Sequence, residues 1–266
     1  QSTGVAAVAL GNSYASGTDS FAAAIANNSS SYGATGSNSI AMGNQAKATS
    51  SDSVAIGDSA QSTYFNTVAI GESANASGNR AMAIGRATQA SGDYATALGA
   101  NSSAGGSIAS GAGSVALGGS LASGNNSFAT GTGATASATS SRAMGSSVTA
   151  DGYASIAKGA YADVNGVQYR ETYGFGSTFQ RSIFVLQDTT SDATATILST
   201  NGNASAISAA TQIVLPNNSA YAFHGTIVAR QQASAGTASA AWKVEGLIRR
   251  EGSAGTTVLV NSATTV

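Results

Sequence analysis

The chain has 266 residues, 9% of them charged, with a formal net charge of −1, 33 glycines, one proline and no cysteine. So little charge, with no basic cluster, excludes a nucleic-acid groove, and the lack of any run of about 18 apolar residues excludes a membrane-spanning helix. The missing cysteines exclude disulfides and thiolate metal sites, while 42% hydrophobic residues, many of them alanine, describe a chain that orders through small side chains.

In chain order the first elements are "VALG" (8–11) and "FAAA" (21–24), the latter with Ala24 in a glycine position. The motif then recurs every 14 residues at Gly43, Gly57, Gly71, Gly85 and Gly99, and again at Gly131, Gly145 and Gly159, after an irregular patch holding Gly111 and Gly118. Two 19-residue intervals, 24 to 43 and 99 to 118, read as insertions into one coil type. Two residues before each glycine stands alanine, as at Ala55, Ala69 and Ala83, and its neighbours are mostly large and apolar. Alternate strand residues point to opposite faces, so one face carries Ala and the other Val54, Ile56, Val68, Ile70, Met82 and Ile84. Both faces should be dry. Thr96, Ser110, Thr130, Arg142 and Lys158 are polar departures in the large-residue columns.

Five residues after the glycine comes a second, small column: Ala48, Ser62, Ala76, Ala90, Ala104, Ala136 and Ala150. The polar residues just before it, among them Lys47, Gln61, Asn75, Gln89 and Ser103, should stay wet. Charge such as Asp58 and Glu72 falls directly after the glycine, where an exposed corner tolerates anything. Two strands per 14-residue coil describe a narrow parallel β-roll. Its Val/Ile face needs a second chain to cover it, so a homo-oligomer about a common axis is expected.

"NSIAMGNQAKATSSDSVAIGDSA" and "TVAIGESANASGNRAMAIGRATQASG" resemble the head repeats of trimeric autotransporter adhesins of the YadA type, over about residues 1–165. The resemblance implies a left-handed parallel roll, a homotrimer and a non-enzymatic surface role.

Residues 166–180 interrupt the period and are read as a neck. After them "SIFVLQD" (182–188), "TATILS" (194–199), "QIVLP" (212–216), "YAFHGTIVARQQ" (221–232), "AAWKVEGLIRRE" (240–251) and "TTVLVNS" (256–262) are strand candidates joined by turn-forming segments. They predict an antiparallel β-sandwich or jelly roll over 181–266, making the chain all-β. The start at Gln1 without Met or signal pattern, and the strand-like ending, are read as marks of a piece of a longer chain. "FVLQDTTSDATATILST", "TQIVLPNNSAYAFHGTIVAR" and "AWKVEGLIRREGSAGTTVLV" are similar to a β-rich module of bacteriophage tail-fibre proteins, over about 178–266. That similarity implies a virion fibre with a host-surface glycan or protein and other virion proteins as partners.

No catalytic, cofactor or metal residue is expected. His224 lacks the partners of a triad or metal site. Asp58 and Glu72, one coil apart, read as solvated corner charges rather than a glycosidase pair, and "GNNSFATGTG" lacks the ending of a phosphate loop. The loop aromatics Tyr14, Tyr32, Tyr64, Phe65 and Tyr94 read most plainly as packing at insertions or between chains, with stacking on sugars as the second reading. Tyr64, Phe65, Tyr94, Asn217 and Asn218 are the candidate surface contacts. Loops at 201–205, 216–220 and 232–239, near Trp242, Arg230, Arg249 and Arg250, are candidates for host contact, with capping of the trimer as the equal alternative. The functional expectation is a trimeric attachment fibre of a phage-like virion. A bacterial autotransporter passenger and a purely structural shaft are the alternatives.

Overall fold

A computed structural model describes residues 1–24, 32–101, 105–164, 166–176, 179–192, 194–203, 207–232 and 238–265. The chain is all-β and forms two compact units, 1–212 and 213–266. In the first, among the described residues, the motif strands stack into a thirteen-stranded sheet and the second-half strands into a nine-stranded one. Every rung between Val8–Gly11 and Glu171–Phe175 is parallel and aligned on the motif. Val54, Val68 and Met82 stand side by side, as do Ile56, Ile70 and Ile84. Ala22 stands between Ala9 and Ala41, so "FAAA" is a true rung.

The interior is made of small residues because the two sheets are only one coil apart. Ala55, Ala69, Ala83 and Ala97 of the motif column and Ala48, Ala76 and Ala90 of the second column are all 0% exposed. Two further inward columns accompany them. One holds Ala46, Ala60 and Ala74. The other is the residue that opens each motif, usually Ser or Thr, as at Ser39, Ser53, Thr67, Ser141 and Ser155. Each of these five hydroxyls donates to the carbonyl three residues earlier, as Ser53 does to Ser50 O at 2.6 Å, which satisfies a polar group that could not otherwise be buried cheaply.

The coil turns at two corners with left-handed backbone. One lies five residues before the glycine, at Asn38, Asp52, Asn66, Arg80 and Tyr94; the other lies two after it, at Gln45, Ser59, Ser73 and Ala87. The motif glycine is required at the regular rungs. Gly57 has φ +129°, and a Cβ there would sit 2.6 Å from the carbonyl oxygen of Gly71 in the next coil.

Both irregular stretches differ from the expected alignment. After Gly99 the chain makes a short antiparallel hairpin, Ala100–Asn101 with Gly105–Gly106, and the second ladder resumes at Ile108–Ala109 beside Gln89 and Ala90. The small-column position assigned to Ala104 is therefore held by Ala109, and Ile108 takes the place assigned to Ser103. Ala104 and Ser103 themselves lie outside the described residues. Ser110 follows that second strand and is not a rung of the motif ladder at all, because "VALG" at 115–118 supplies that rung. The shorter 13-residue step from Gly118 to Gly131 keeps register through Val115 beside Phe128.

The parallel ladder also runs beyond residue 165. Glu171–Phe175 pairs in parallel with Ile156–Ala160, with Thr172 in the alanine column and fully buried. The sheet then ends on Gln180–Ile183, which is antiparallel to it. At this end the inward serine position is occupied by Arg170, 2% exposed. Its guanidinium donates to Val164 O at 2.8 Å and to Ser182 Oγ at 2.7 Å, and lies 5.1 Å from the Phe184 ring centre.

In the second unit Ser219–Arg230, Ser239–Arg250 and Val258–Thr265 form one antiparallel sheet with a register shift at Leu247/Ile248. Where a two-sheet sandwich was expected, three strands stand alone among the described residues. The candidates 194–199 and 212–216 form no strand; Ser199 makes a single bridge to Gln187. Local side-chain bonds hold the former region in bends, with Thr194 N donating to Asp192 Oδ1 at 2.8 Å and Thr190 Oγ1 to Asp192 O at 2.9 Å. Leu215 O instead accepts from Arg250 Nη1 at 2.8 Å. One 3₁₀ turn, Ala254–Thr256, is the only helical element among the described residues, and no helix there is long and apolar enough to cross a membrane.

Candidate functional site

Two surfaces of the roll carry side chains that the fold does not consume. The first is the outer face of the motif ladder. Val54, Ile56, Val68, Ile70 and Ile84 are half-buried and Met82 is exposed, directly behind alanines with no exposure at all. The same strand is therefore sealed on one side and open on the other. Later rungs become polar: Thr96 and Thr130 are half-buried and Arg142 is exposed. Lys158 lies 3.2 Å from Glu171 Oε1, which also accepts from Tyr173 Oη at 2.6 Å. The Tyr173 hydroxyl and then Lys158 hold the Glu171 carboxyl below the usual carboxylate range, and the same bond pushes the Tyr173 phenol up. The apolar face thus ends in a small ionic cluster. Across the roll Gln61 and Gln89 are exposed and Lys47 and Asn75 half-buried.

The second surface is the corner before each motif. Tyr64, Phe65, Arg80 and Tyr94 occupy it on three successive coils, since Arg80 N donates to Phe65 O and Tyr94 N to Asn79 O, at 3.0 and 2.7 Å. Tyr64 and Phe65 meet edge to face with ring centres 5.5 Å apart. Arg80 lies 5.4 Å from the Tyr94 ring centre and donates from Nη1 to its hydroxyl at 2.5 Å. Tyr64, Phe65 and Tyr94 are 46%, 52% and 57% exposed. Further along the same corner Tyr153 and Tyr169 form another edge-to-face pair at 5.5 Å. Tyr14 and Tyr32 are half-buried and lie apart from this group.

With that geometry in view, the family described as YadA head domain repeat (2 copies) matches residues 34–60, 65–87, 76–102 and 122–147. The roll is similar to the YadA head. The matched segments cover the rungs at 40–42, 54–56, 68–70, 82–84, 96–98, 128–130 and 142–146 and include Phe65, Arg80 and Tyr94. No curated protein matches the chain.

The other sequence candidates scatter. Asn217 and Asn218 are exposed at the turn before Ser219–Arg230, with Asn218 in left-handed backbone and its N–H donating to Glu251 O at 3.0 Å. Residues 204–205 and 233–237 of the candidate loops lie outside the described residues. Arg249 faces Glu251 at 3.7 Å, Arg250 is tied to Leu215, and Trp242 is half-buried opposite Ile227. His224 is exposed, opposite Glu245 in the sheet. Asp58 accepts from Asn44 Nδ2 at 3.4 Å, while Glu72 pairs with Arg86 at 3.5 Å in full solvent, a contact worth little. Among the described residues no three His, Asp or Glu side chains converge. Sequence reasoning missed Arg80, whose signal was its place in a column where the three preceding coils carry Asn38, Asp52 and Asn66. It also missed Arg170, whose signal was an arginine in the serine column.

Proposed function

We propose that this chain is a segment of a homotrimeric, non-enzymatic attachment fibre, in which three rolls bury their Val/Ile faces against one another. The observation that carries this reading is the motif ladder, sealed by alanine on its inner face and left half-open by Val54, Ile56, Val68, Ile70 and Ile84 on its outer one. Such a continuous apolar stripe on a lone chain would aggregate. The match to YadA head repeats supports a threefold arrangement and an extracellular surface fibre.

The carrier we propose is a phage-like virion, supported by the resemblance of residues 178–266 to tail-fibre modules. The head repeats favour a second reading, a bacterial surface adhesin. A host-surface glycan or protein is the proposed target, and other virion proteins the proposed neighbours. Sedimentation equilibrium should give three times the chain mass of 25.8 kDa; a stable folded monomer would overturn the trimer. Immunogold labelling of intact particles and of bacterial surfaces distinguishes the two carriers. Host-surface polysaccharide incubated with the trimer should yield no new reducing ends.

A further inference from the structure

We infer that the corner bearing Phe65, Arg80 and Tyr94 is a glycan-binding ridge, taking a pyranose oligosaccharide laid along the roll's stacking direction. Arg80 and Tyr94 have φ of +57° and +59°, at the corner position that other coils fill with Asn38, Asp52, Asn66, Gly113 or Asn126, and also with Ala6, Ser140, Ala154 and Tyr169. Asn, Asp and Gly adopt left-handed backbone readily, whereas a long or bulky side chain there costs of order 1 kcal/mol or more. Tyr94 keeps 57% of its surface in water, so much of its side chain is presented to solvent rather than spent on the core.

The chemistry of the corner fits sugar. Phe65 and Tyr94 sit two ladder steps apart, roughly 10 Å at the usual strand spacing of about 4.8 Å, a separation comparable to two linked pyranose rings. Aromatic faces stack on the apolar C–H faces of sugars, and planar polar groups bond their hydroxyls. Arg80 fixes the Tyr94 ring through the contacts already described, so the platform is ordered before any ligand arrives, which lowers the entropy cost of binding. Between the platforms the polar groups are neutral or of both signs. Asn79 N donates to Asp93 Oδ1 at 3.0 Å, and the exposed Asp93 offsets the charge of Arg80. A neutral oligosaccharide suits this balance better than a uronic or sialic acid polymer.

This deepens the attachment-fibre reading and rests on it. The test uses the full chain on immobilised neutral hexose, N-acetylhexosamine and uronic-acid oligosaccharides, with wild type beside Tyr94→Asn, Arg80→Asn and Phe65→Ala. Wild type should be retained on a neutral probe, and each variant should bind roughly tenfold more weakly, as for loss of a hot-spot side chain. Tyr94→Asn and Arg80→Asn should also melt no lower than wild type, because Asn relieves the backbone strain. Tyr161→Ala, on the opposite corner with φ +58°, should leave binding unchanged. Retention of wild type on none of the probes, or equal retention of all variants, would overturn the inference. So would loss of the trimer in Tyr94→Asn, which would make the corner a contact between chains. Sedimentation of wild type reports separately on the fibre reading.

Discussion

Residues 8–175 and residues 213–265 solve the same problem of burying apolar surface in opposite ways. The roll completes an interior within each chain. From Ala22 to Ala157 its motif alanines are fully buried, and most rungs repeat the solution of the one before. The C-terminal sheet gathers Tyr221, Phe223, Trp242, Val244 and Ile248 as half-buried residues on one face, but Leu215, at 8%, is the only buried hydrophobic residue of that unit among those described. A lone sheet of three strands needs packing on its apolar face to persist in water. Small side chains allow a core to close over one coil, whereas large ones spread over a single layer require a second layer. The same division runs through the roll itself, between its alanine face and its Val/Ile face.

The strongest way to break this contrast is on the roll's open face. Ile70→Asp should abolish assembly, because a carboxylate trapped between chains costs several kcal/mol, and sedimentation should then report monomer or aggregate. A trimer of unchanged stability would mean that the stripe is not an interface.

On the closed face, Ala83→Leu should lower stability by about 1–3 kcal/mol through overpacking, read as an earlier loss of β-signal on heating. Ile70 and Ala83 lie on neighbouring rungs, and the difference between them is the sharpest statement of the two faces.

For the C-terminal sheet, Leu259 lies beside Ile248 and is 54% exposed on a single chain. Leu259→Asp would be within about 0.5 kcal/mol of neutral if that face stayed in water. We expect a loss of about 2 kcal/mol or more, as would follow if copies of the sheet covered one another in the proposed trimer. Trp242 is the only tryptophan, so its fluorescence follows this unit alone. A coincident melt of wild type and variant would show the face to be bare.

The smallest effect concerns the ionic cluster at the end of the ladder. The Glu171 carboxyl is held low by Tyr173 and Lys158, so its contribution is present above the ordinary glutamate value and lost as pH falls through the lowered one. A slight drop in melting temperature between neutral pH and pH about 3 should shrink in Glu171→Gln. An identical pH profile in the two proteins would remove the cluster from the account.

How much of this was legible depended on whether the repeat itself enforced it. Ala55, Ala69 and Ala83 could be placed inside because a parallel ladder in exact 14-residue register leaves no other face for them. The serine column before most motifs was nearly as regular, yet serine reads as a turn residue, and at Ser39, Ser53, Ser141 and Ser155 its burial rests on a bond to its own backbone. Ser110 and Ala104 were misaligned because a five-residue insertion, followed by a 13-residue coil, defeats counting from the glycine. In the C-terminal half the alternation at 194–199 matched a strand, but Asp192 and Thr190 capture the neighbouring backbone first. The aromatic corner was visible as single residues. That Phe65, Arg80 and Tyr94 stack on one edge required the coil geometry.

The two 19-residue intervals follow Ala24 and Gly99, and the described rungs on either side of them stay in register. A 13-residue coil keeps register as well. Gene segments encoding whole coils can therefore be duplicated or deleted by recombination between near-identical repeats without a compensating change elsewhere. Each such event lengthens or shortens the roll by one strand spacing, about 4.8 Å, while the surviving edges keep their partners. The length of the roll can thus change in discrete increments, one coil at a time.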